Sequence, residues 1–132
     1  MTGRTSVSSG GAWEDVVGYS RAVRVGDLVV VAGTTAAAPG GGAVGGDDAA
    51  AQTREALRRI ADALAQVGAG LSDVVRTRIY VTDIARWADV GRVHGEVFAG
   101  VRPAATMVEV SRLIDPALLV EIEVDAVVGG EG

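Results

Sequence analysis

Over residues 118–127 the chain alternates without a slip: Val120, Ile122, Val124 and Ala126 fall on one side, and Glu121, Glu123 and Asp125 on the other. Successive side chains of a β-strand point to opposite faces. A segment with this pattern demands a sheet with one apolar face covered by other elements and one face left to water or to a polar partner. Everything else in the chain has to supply that sheet and its cover.

Two segments read as the cover. Asp47-Asp48 opens the first helix, since acidic residues suit a helix N-terminus through capping and the helix dipole. Leu57, Ile60, Leu64 and Val67 then form an apolar stripe at spacings of three and four, and Gly68 and Gly70 stop the helix. Thr82-Asp83 caps a second helix over residues 84–98, with Trp87, Gly91, His94 and Phe98 on one side. The remaining strands are short β-prone runs. Residues 21–25 and 28–33 flank Gly26-Asp27, the signature of a tight hairpin. Residues 74–81 put Val75, Thr77, Ile79 and Val81 on one face and Arg76, Arg78 and Tyr80 on the other, and residues 104–110 add a strand. The expected order is β-β-α-β-α-β-β, with room for one more β-element at the start. The fold class is α+β: a single mixed β-sheet with two helices packed on one face. The opposite face, part polar and part apolar, has the character of a subunit interface.

With 132 residues the chain fits one domain. Residues 1–12, rich in Ser and Gly, read as a flexible N-terminal tail, residues 13–128 as the domain, and residues 129–132 as a C-terminal tail. Trp13 and Val16-Val17 suggest a short ordering contact or an edge strand. The Gly-rich run 39–46 reads as a flexible loop. A phosphate cradle would need a Gly-Lys-Ser/Thr ending or a strand–GxGxxG–helix setting, and neither is present.

Composition removes several chemistries. Without cysteine there is no disulfide, Cys-ligated zinc, iron–sulfur cluster or thiol nucleophile. Every basic residue is arginine, which excludes a Schiff-base lysine. His94 is the sole histidine, and no Gly-x-Ser-x-Gly elbow surrounds a serine, so metal catalysis and Ser-His hydrolysis are disfavoured. The net charge of −5 disfavours a general nucleic-acid partner. No apolar run is long enough to span a bilayer, and the N-terminus lacks a secretory pattern, so a cytoplasmic location without membrane association is expected. Three acids at alternate positions on one strand repel unless paired or solvated. Arg76 and Arg78 on a neighbouring strand are the expected partners for Glu123 and Asp125.

Several segments in order carry a resemblance. They are residues 18–23 (Gly-Tyr-Ser-Arg-Ala-Val), 25–29, Ala32-Gly33-Thr34, Ala51-Gln52-Thr53, residues 71–75, residues 80–83, Arg102-Pro103-Ala104, Val108-Glu109-Val110, and residues 120–123. Together they resemble the RidA (reactive intermediate deaminase, YjgF-type) family from about residue 18 to 128. The resemblance implies a chorismate-mutase-like fold and a homotrimer whose sheets form a central barrel with clefts between subunits. It implies cofactor-independent hydrolysis of 2-enamines and 2-imines to 2-oxo acids and ammonia, with no metal. Carried over residue by residue, it makes Glu121 the catalytic carboxylate. Tyr19, Gly33, Ala105, Thr106 and Met107 become the substrate-binding positions.

Three departures stand out. The family serine before Gly33 is Ala32. The arginine that grips the substrate carboxylate is Ala105. On the second helix Gly91 and His94 replace an asparagine and a tyrosine. Alanine supplies none of the bidentate pairing an arginine makes with a carboxylate. Arg76, Arg102 and Arg112 are the candidates to replace it, Arg102 only if the chain bends at Pro103. The expectation is an enzyme of the same reaction class acting on a different small metabolite. A non-catalytic metabolite-binding trimer is the alternative, and an endoribonuclease is less favoured.

Overall fold

A computed structural model describes residues 3–129. Strands β1 (Arg4–Val7), β2 (Ala22–Val25), β3 (Leu28–Thr34), β4 (Val74–Val81), β5 (Ala104–Glu109) and β6 (Val120–Val127) form one sheet in the order β1-β2-β3-β6-β4-β5. All neighbours are antiparallel except β4 and β5. A parallel pair needs a crossover, and α3 (Trp87–Phe98) supplies it. Helix α2 (Ala49–Ala65) connects β3 to β4, and α1 (Ala12–Val17) lies between β1 and β2. The single mixed α+β sheet is as expected, with one more strand and one more short helix at the N-terminal end. No helix among the described residues is long and apolar enough to cross a membrane.

The alternating segment is the sheet's central strand, running between β3 and β4. Val120, Ile122, Val124 and Ala126 are fully buried beneath α2, as are Leu57, Ile60 and Leu64 of its stripe. Each large aliphatic side chain so buried contributes about 1.5–3 kcal/mol relative to exposure. Asp48 caps α2 by accepting from the Ala51 amide at 3.1 Å. Gln52 is fully buried, donating to the Gly46 and Ala117 carbonyls and accepting from the Leu119 amide. It ties the helix start to the approach to β6. The β2–β3 hairpin turns at Gly26-Asp27 with a positive φ at Gly26 alone, the pattern of a type II′ turn.

Several expectations need correction. Within the supposed tail of residues 1–12, Arg4–Val7 pairs with β2 in the register Arg4↔Val25, and Ala12 begins a helix. Residues 1–2 and 130–132 lie outside the described residues. Val75 does not share the buried face of Thr77, Ile79 and Val81. The register shifts between Val74 and Arg76, so Val74 turns inward and Val75 is exposed. The second helix proper starts at Trp87, after a 3-10 turn over Ile84–Arg86. Its core stripe is Val90, Val93 and Phe98, while Trp87 is exposed. The Gly-rich run is folded as a turn closed by an Ala37↔Ala43 bridge and by the Gly42 amide donating to Asp115 at 3.4 Å.

The face away from α2 carries exposed Val25, Leu28, Val30, Val108 and Val127 beside Glu121, Glu123, Asp125, Arg78 and Tyr80.

Candidate active site

The site starts from an irregularity in β3. Its register with β6 passes from Val31↔Val124 to Thr34↔Ile122. Ala32 and Gly33 therefore stand opposite Glu123 alone, which is a β-bulge. Burial records the change of phase: Val29 and Val31 are buried before it, Thr34 and Ala36 after it. A bulge leaves backbone groups unpaired and re-aims the strand, and both effects matter here.

Arg21, just ahead of β2, takes up the unpaired groups. Its Nη1 donates to the Gly33 carbonyl at 2.8 Å, to Thr34 Oγ1 at 2.9 Å and to the Ala32 carbonyl at 3.4 Å. Its Nη2 donates to Tyr19 Oη at 3.3 Å, and its guanidinium carbon lies 5.5 Å from the Tyr19 ring centroid. Behind it, Nε lies 3.7 Å from Oε2 of Glu14. Glu14 comes from α1 and is only 4 % exposed; it accepts from the Ser9 amide at 3.2 Å and from the Ser9 hydroxyl. Burial works to raise its pKa, but hydrogen bonds from Ser9 and Ser8 and the charge of Arg21 outweigh that and hold the carboxyl below its ordinary value.

Glu121 sits over the bulge. A Cβ on Gly33 would stand 2.5 Å from Glu121 Oε2, so only glycine leaves the carboxylate its place. The other two acids of the row are engaged. Tyr80 Oη donates to Glu123 at 2.5 Å, and Arg78 Nη1 lies 3.3 Å from Asp125 and 4.0 Å from Glu123. The hydrogen bond to Glu123, then burial, raises the Tyr80 pKa. Arg78 pairs as expected; Arg76 makes no ion pair among the described residues. Among the described residues Glu121 alone of the three takes no hydrogen bond. Burial raises its pKa above the ordinary value, opposed by the charge of Arg21 and assisted by that of Glu123. A half-buried, uncommitted carboxyl with a raised pKa can take a proton from water and return it.

The expected residues on β5 form a second group. Ala105 pairs with Thr77, Thr106 with Arg78 and Met107 with Ile79. Ala105 and Met107 therefore share the helix-side face, and Thr106 lies on the open face. Ala105 and Thr106 are exposed, while Met107 packs partly against the core. Beside Ala105, the buried Thr77 Oγ1 lies 2.9 Å from His94 Nε2, and the His94 ring tilts against Phe98 with centroids 4.7 Å apart. Burial lowers the His94 pKa, keeping the ring neutral at pH 7. Arg102 does lie at a bend, with φ 55, just before Pro103. Arg76 shares the opposite face with Ala104. Among the described residues, Arg76, Arg102 and Arg112 make no ion pair.

A single chain does not bring these groups together. β4 separates β6 from β5, so Glu121 and Ala105 are on the order of 10 Å apart across the sheet. They also point to opposite faces. A hollow of about 230 Å³ between Arg78, Tyr80, Thr106 and Val108 holds Thr106 alone of the expected residues. Another of about 250 Å³, between Leu57, Arg58, Val93 and Glu96, holds none. Through Arg21, Tyr19 is linked to the bulge at Gly33, over which Glu121 sits. Arg21 and Glu14 were missed, although Arg21 lies inside the Gly18–Val23 signature; nothing in that signature distinguished it from an ordinary surface arginine.

A family model described as Endoribonuclease L-PSP matches residues 11–128. An uncharacterised protein of Streptomyces coelicolor is 42% identical over 120 residues, covering 91% of this chain and 89% of its own. A RutC family protein of Pyrococcus abyssi is 36% identical over 80% of this chain and 82% of its own. Among solved structures, a Mycobacterium tuberculosis member of the YjgF/YER057c/UK114 family is 64% identical, with a TM-score of 0.87, covering 96% of this chain and 100% of that one.

Proposed function

The chain belongs to the Endoribonuclease L-PSP family, the YjgF/RidA family, and from that premise we propose that it hydrolyses an enamine- or imine-type reactive metabolite to a carbonyl compound and ammonia, in clefts between the subunits of a cytoplasmic homotrimer. The observation that carries the reading is Glu121, a half-buried carboxyl set over Gly33 and left without a hydrogen bond while Glu123 and Asp125 are paired. As a carboxylate, Glu121 removes a proton from water while the water oxygen bonds to the iminium carbon. The resulting carboxylic acid returns that proton to the nitrogen of the carbinolamine. The C–N bond then breaks, ammonia leaves, and loss of the hydroxyl proton leaves the C=O group. No cofactor or metal enters these steps. Tyr19 shapes the pocket and offers its hydroxyl.

The exposed edge strand β5 supplies the other wall of the cleft from the next subunit. This accounts for the separation of Ala105, Thr106 and Met107 from Glu121 within one chain. With alanine at position 105, nothing at that position grips a carboxylate, so the substrate is less acidic or larger than 2-iminopropionate. The exposed valines and Leu28 on the open face support burial against other copies.

The same alanine supports a second reading, a non-catalytic trimer that binds a metabolite. A ribonuclease is disfavoured by the net charge of −5 and the row of acids beside the site.

The test is ammonia and carbonyl release from freshly generated imines with and without an adjacent carboxylate, beside an arginine-containing homologue. Turnover of the carboxylate-free imine, lost in Glu121→Gln, supports the hydrolase. Tight metabolite binding without turnover replaces it with the binding reading.

A further inference from the structure

We infer that Arg21 is the positioning residue of this cleft: one guanidinium holds the Ala32-Gly33 bulge, the Tyr19 ring and the charge balance around Glu121 in a fixed relation. The inference rests on the reading of Glu121 as the working carboxylate.

An arginine at a strand edge usually pairs with one surface acid, and such a pair is worth little. Arg21 is placed differently. Its side chain is only 13 % exposed. Two of its acceptors, the Ala32 and Gly33 carbonyls, belong to the bulge that sets Gly33 against Glu121. A third is Thr34 Oγ1, which itself donates to the Ala32 carbonyl at 2.8 Å. The Arg21 carbonyl accepts from the Ala32 amide at 3.0 Å, so backbone and side chain grip the same bulge. The remaining Nη2 reaches Tyr19. A planar, permanently charged fork can make these contacts at once; a lysine ammonium cannot match their geometry.

The electrostatics follow from the same geometry. The charged and titratable groups around Glu121 are Arg21 ahead of β2, Glu123 on its own strand, and Tyr80 across on β4. Glu14 on α1 stands behind Arg21. Arg21 is the cation among them, and it favours the ionised form of Glu121 against burial. Glu14 in turn takes up part of the Arg21 charge. The N-terminal β1–α1 segment thus reaches the cleft through this ion pair and through backbone bonds, the Arg21 amide donating to the Val7 carbonyl at 2.7 Å and the Tyr19 amide to the Glu14 carbonyl at 3.0 Å.

Carboxyl-carbon NMR titration of Glu121, assigned by comparison with Glu121→Gln, tests this without any substrate. A null result in imine turnover and a failure of this inference are therefore distinguishable. In Arg21→Met the Glu121 midpoint is expected to rise by about one pH unit. In Arg21→Lys most of that rise disappears, because charge returns, but the Tyr19 ring resonances shift because the fork does not. In Glu14→Gln, which frees more of the Arg21 charge, the midpoint moves down instead. Opposite shifts in Arg21→Met and Glu14→Gln are not produced by loosened packing alone. If Arg21→Met fails to fold, Glu14→Gln and Arg21→Lys decide. Unchanged Glu121 midpoints in the folded variants overturn the inference.

Discussion

The walls around Glu121 and around Ala105 are built to different standards. Around Glu121, a bulge, the buried Glu14 and the largely buried Arg21 are tied to one another and to Tyr19 by hydrogen bonds and an ion pair, while Glu121 itself sits over the bulge without one. Around Ala105 there is an edge strand that pairs only with β4 and exposes Ala104, Ala105, Thr106 and Val108. Unpaired edges are normally covered or blunted. The difference teaches that one chain can fix the surroundings of Glu121 by itself while it leaves β5 as an open edge; under the proposed function, the first does the proton chemistry and the second selects the ligand. A group that moves protons must be placed within a fraction of an ångström, which calls for a rigid support. A selecting residue needs only to point into the space that remains, so its identity can change with little effect on the fold.

The largest effect should come from the rigid wall. Glu121→Gln is expected to lower turnover of any imine substrate by about 10²–10⁴-fold, the usual range for a lost general acid–base group. The same variant should melt higher at pH 7. The Glu121 pKa is raised on folding, so stability is lost as pH climbs through the carboxyl range, and glutamine removes that loss. A variant that keeps full turnover would break the assignment of roles to the two walls.

Gly33→Ala comes next. Its Cβ at 2.5 Å from Oε2 must displace the carboxylate or the bulge. Because the nearest displaced atom is the end of a flexible side chain, only a small loss in denaturant stability is expected, together with reduced turnover as the carboxylate is pushed from its place. A silent substitution would show the bulge to be more yielding than the Arg21 contacts imply.

The open wall should respond by gain rather than loss. Ala105→Arg is expected to leave the fold intact and to raise kcat/KM for imines bearing a carboxylate by about 10–100-fold relative to neutral ones. Hydrogen bonds to a charged partner are worth about 1.5–3 kcal/mol, and this is their equivalent in rate. If the ratio between the two substrate types stays put, selection lies elsewhere on β5.

The smallest effect concerns His94. Burial lowers its pKa on folding. The unfolded state therefore binds the extra proton more readily, and stability falls as pH drops through the imidazole range near 6.5. Thermal melts between pH 5 and 8 should show this slope reduced in His94→Gln. An unreduced slope would assign it to another group.

How much of this was legible beforehand varies by residue. Val120, Ile122, Val124, Leu57, Ile60 and Leu64 were placed correctly, because periodicity is a local property and each sits at an uninterrupted position. Val75 was misplaced, since strict alternation cannot foresee a bulge. Trp87 was grouped on one side of its helix with Gly91, His94 and Phe98, yet the helix buries Val90, Val93 and Phe98 and leaves Trp87 exposed. Arg4–Val7 looked like tail, because its Ser- and Thr-bearing sequence has no apolar alternation and its hydrogen bonds come from β2. Tyr19, Gly33 and Glu121 were singled out through resemblance. Arg21 was not, because its acceptors are backbone carbonyls eleven and twelve residues away.

The sequence by itself determined the class of fold, the alternation along the last strand and the chemistry excluded by the lack of cysteine and lysine. These follow from side-chain periodicity and from which atoms the chain possesses. Only the tertiary structure decided which of three equivalent acids is left unpaired. That depends on what stands across the sheet from each: Tyr80 and Arg78 engage Glu123 and Asp125, while the bulge at Gly33 makes room for Glu121. Strand register brings together residues far apart in the chain, and no local pattern encodes it.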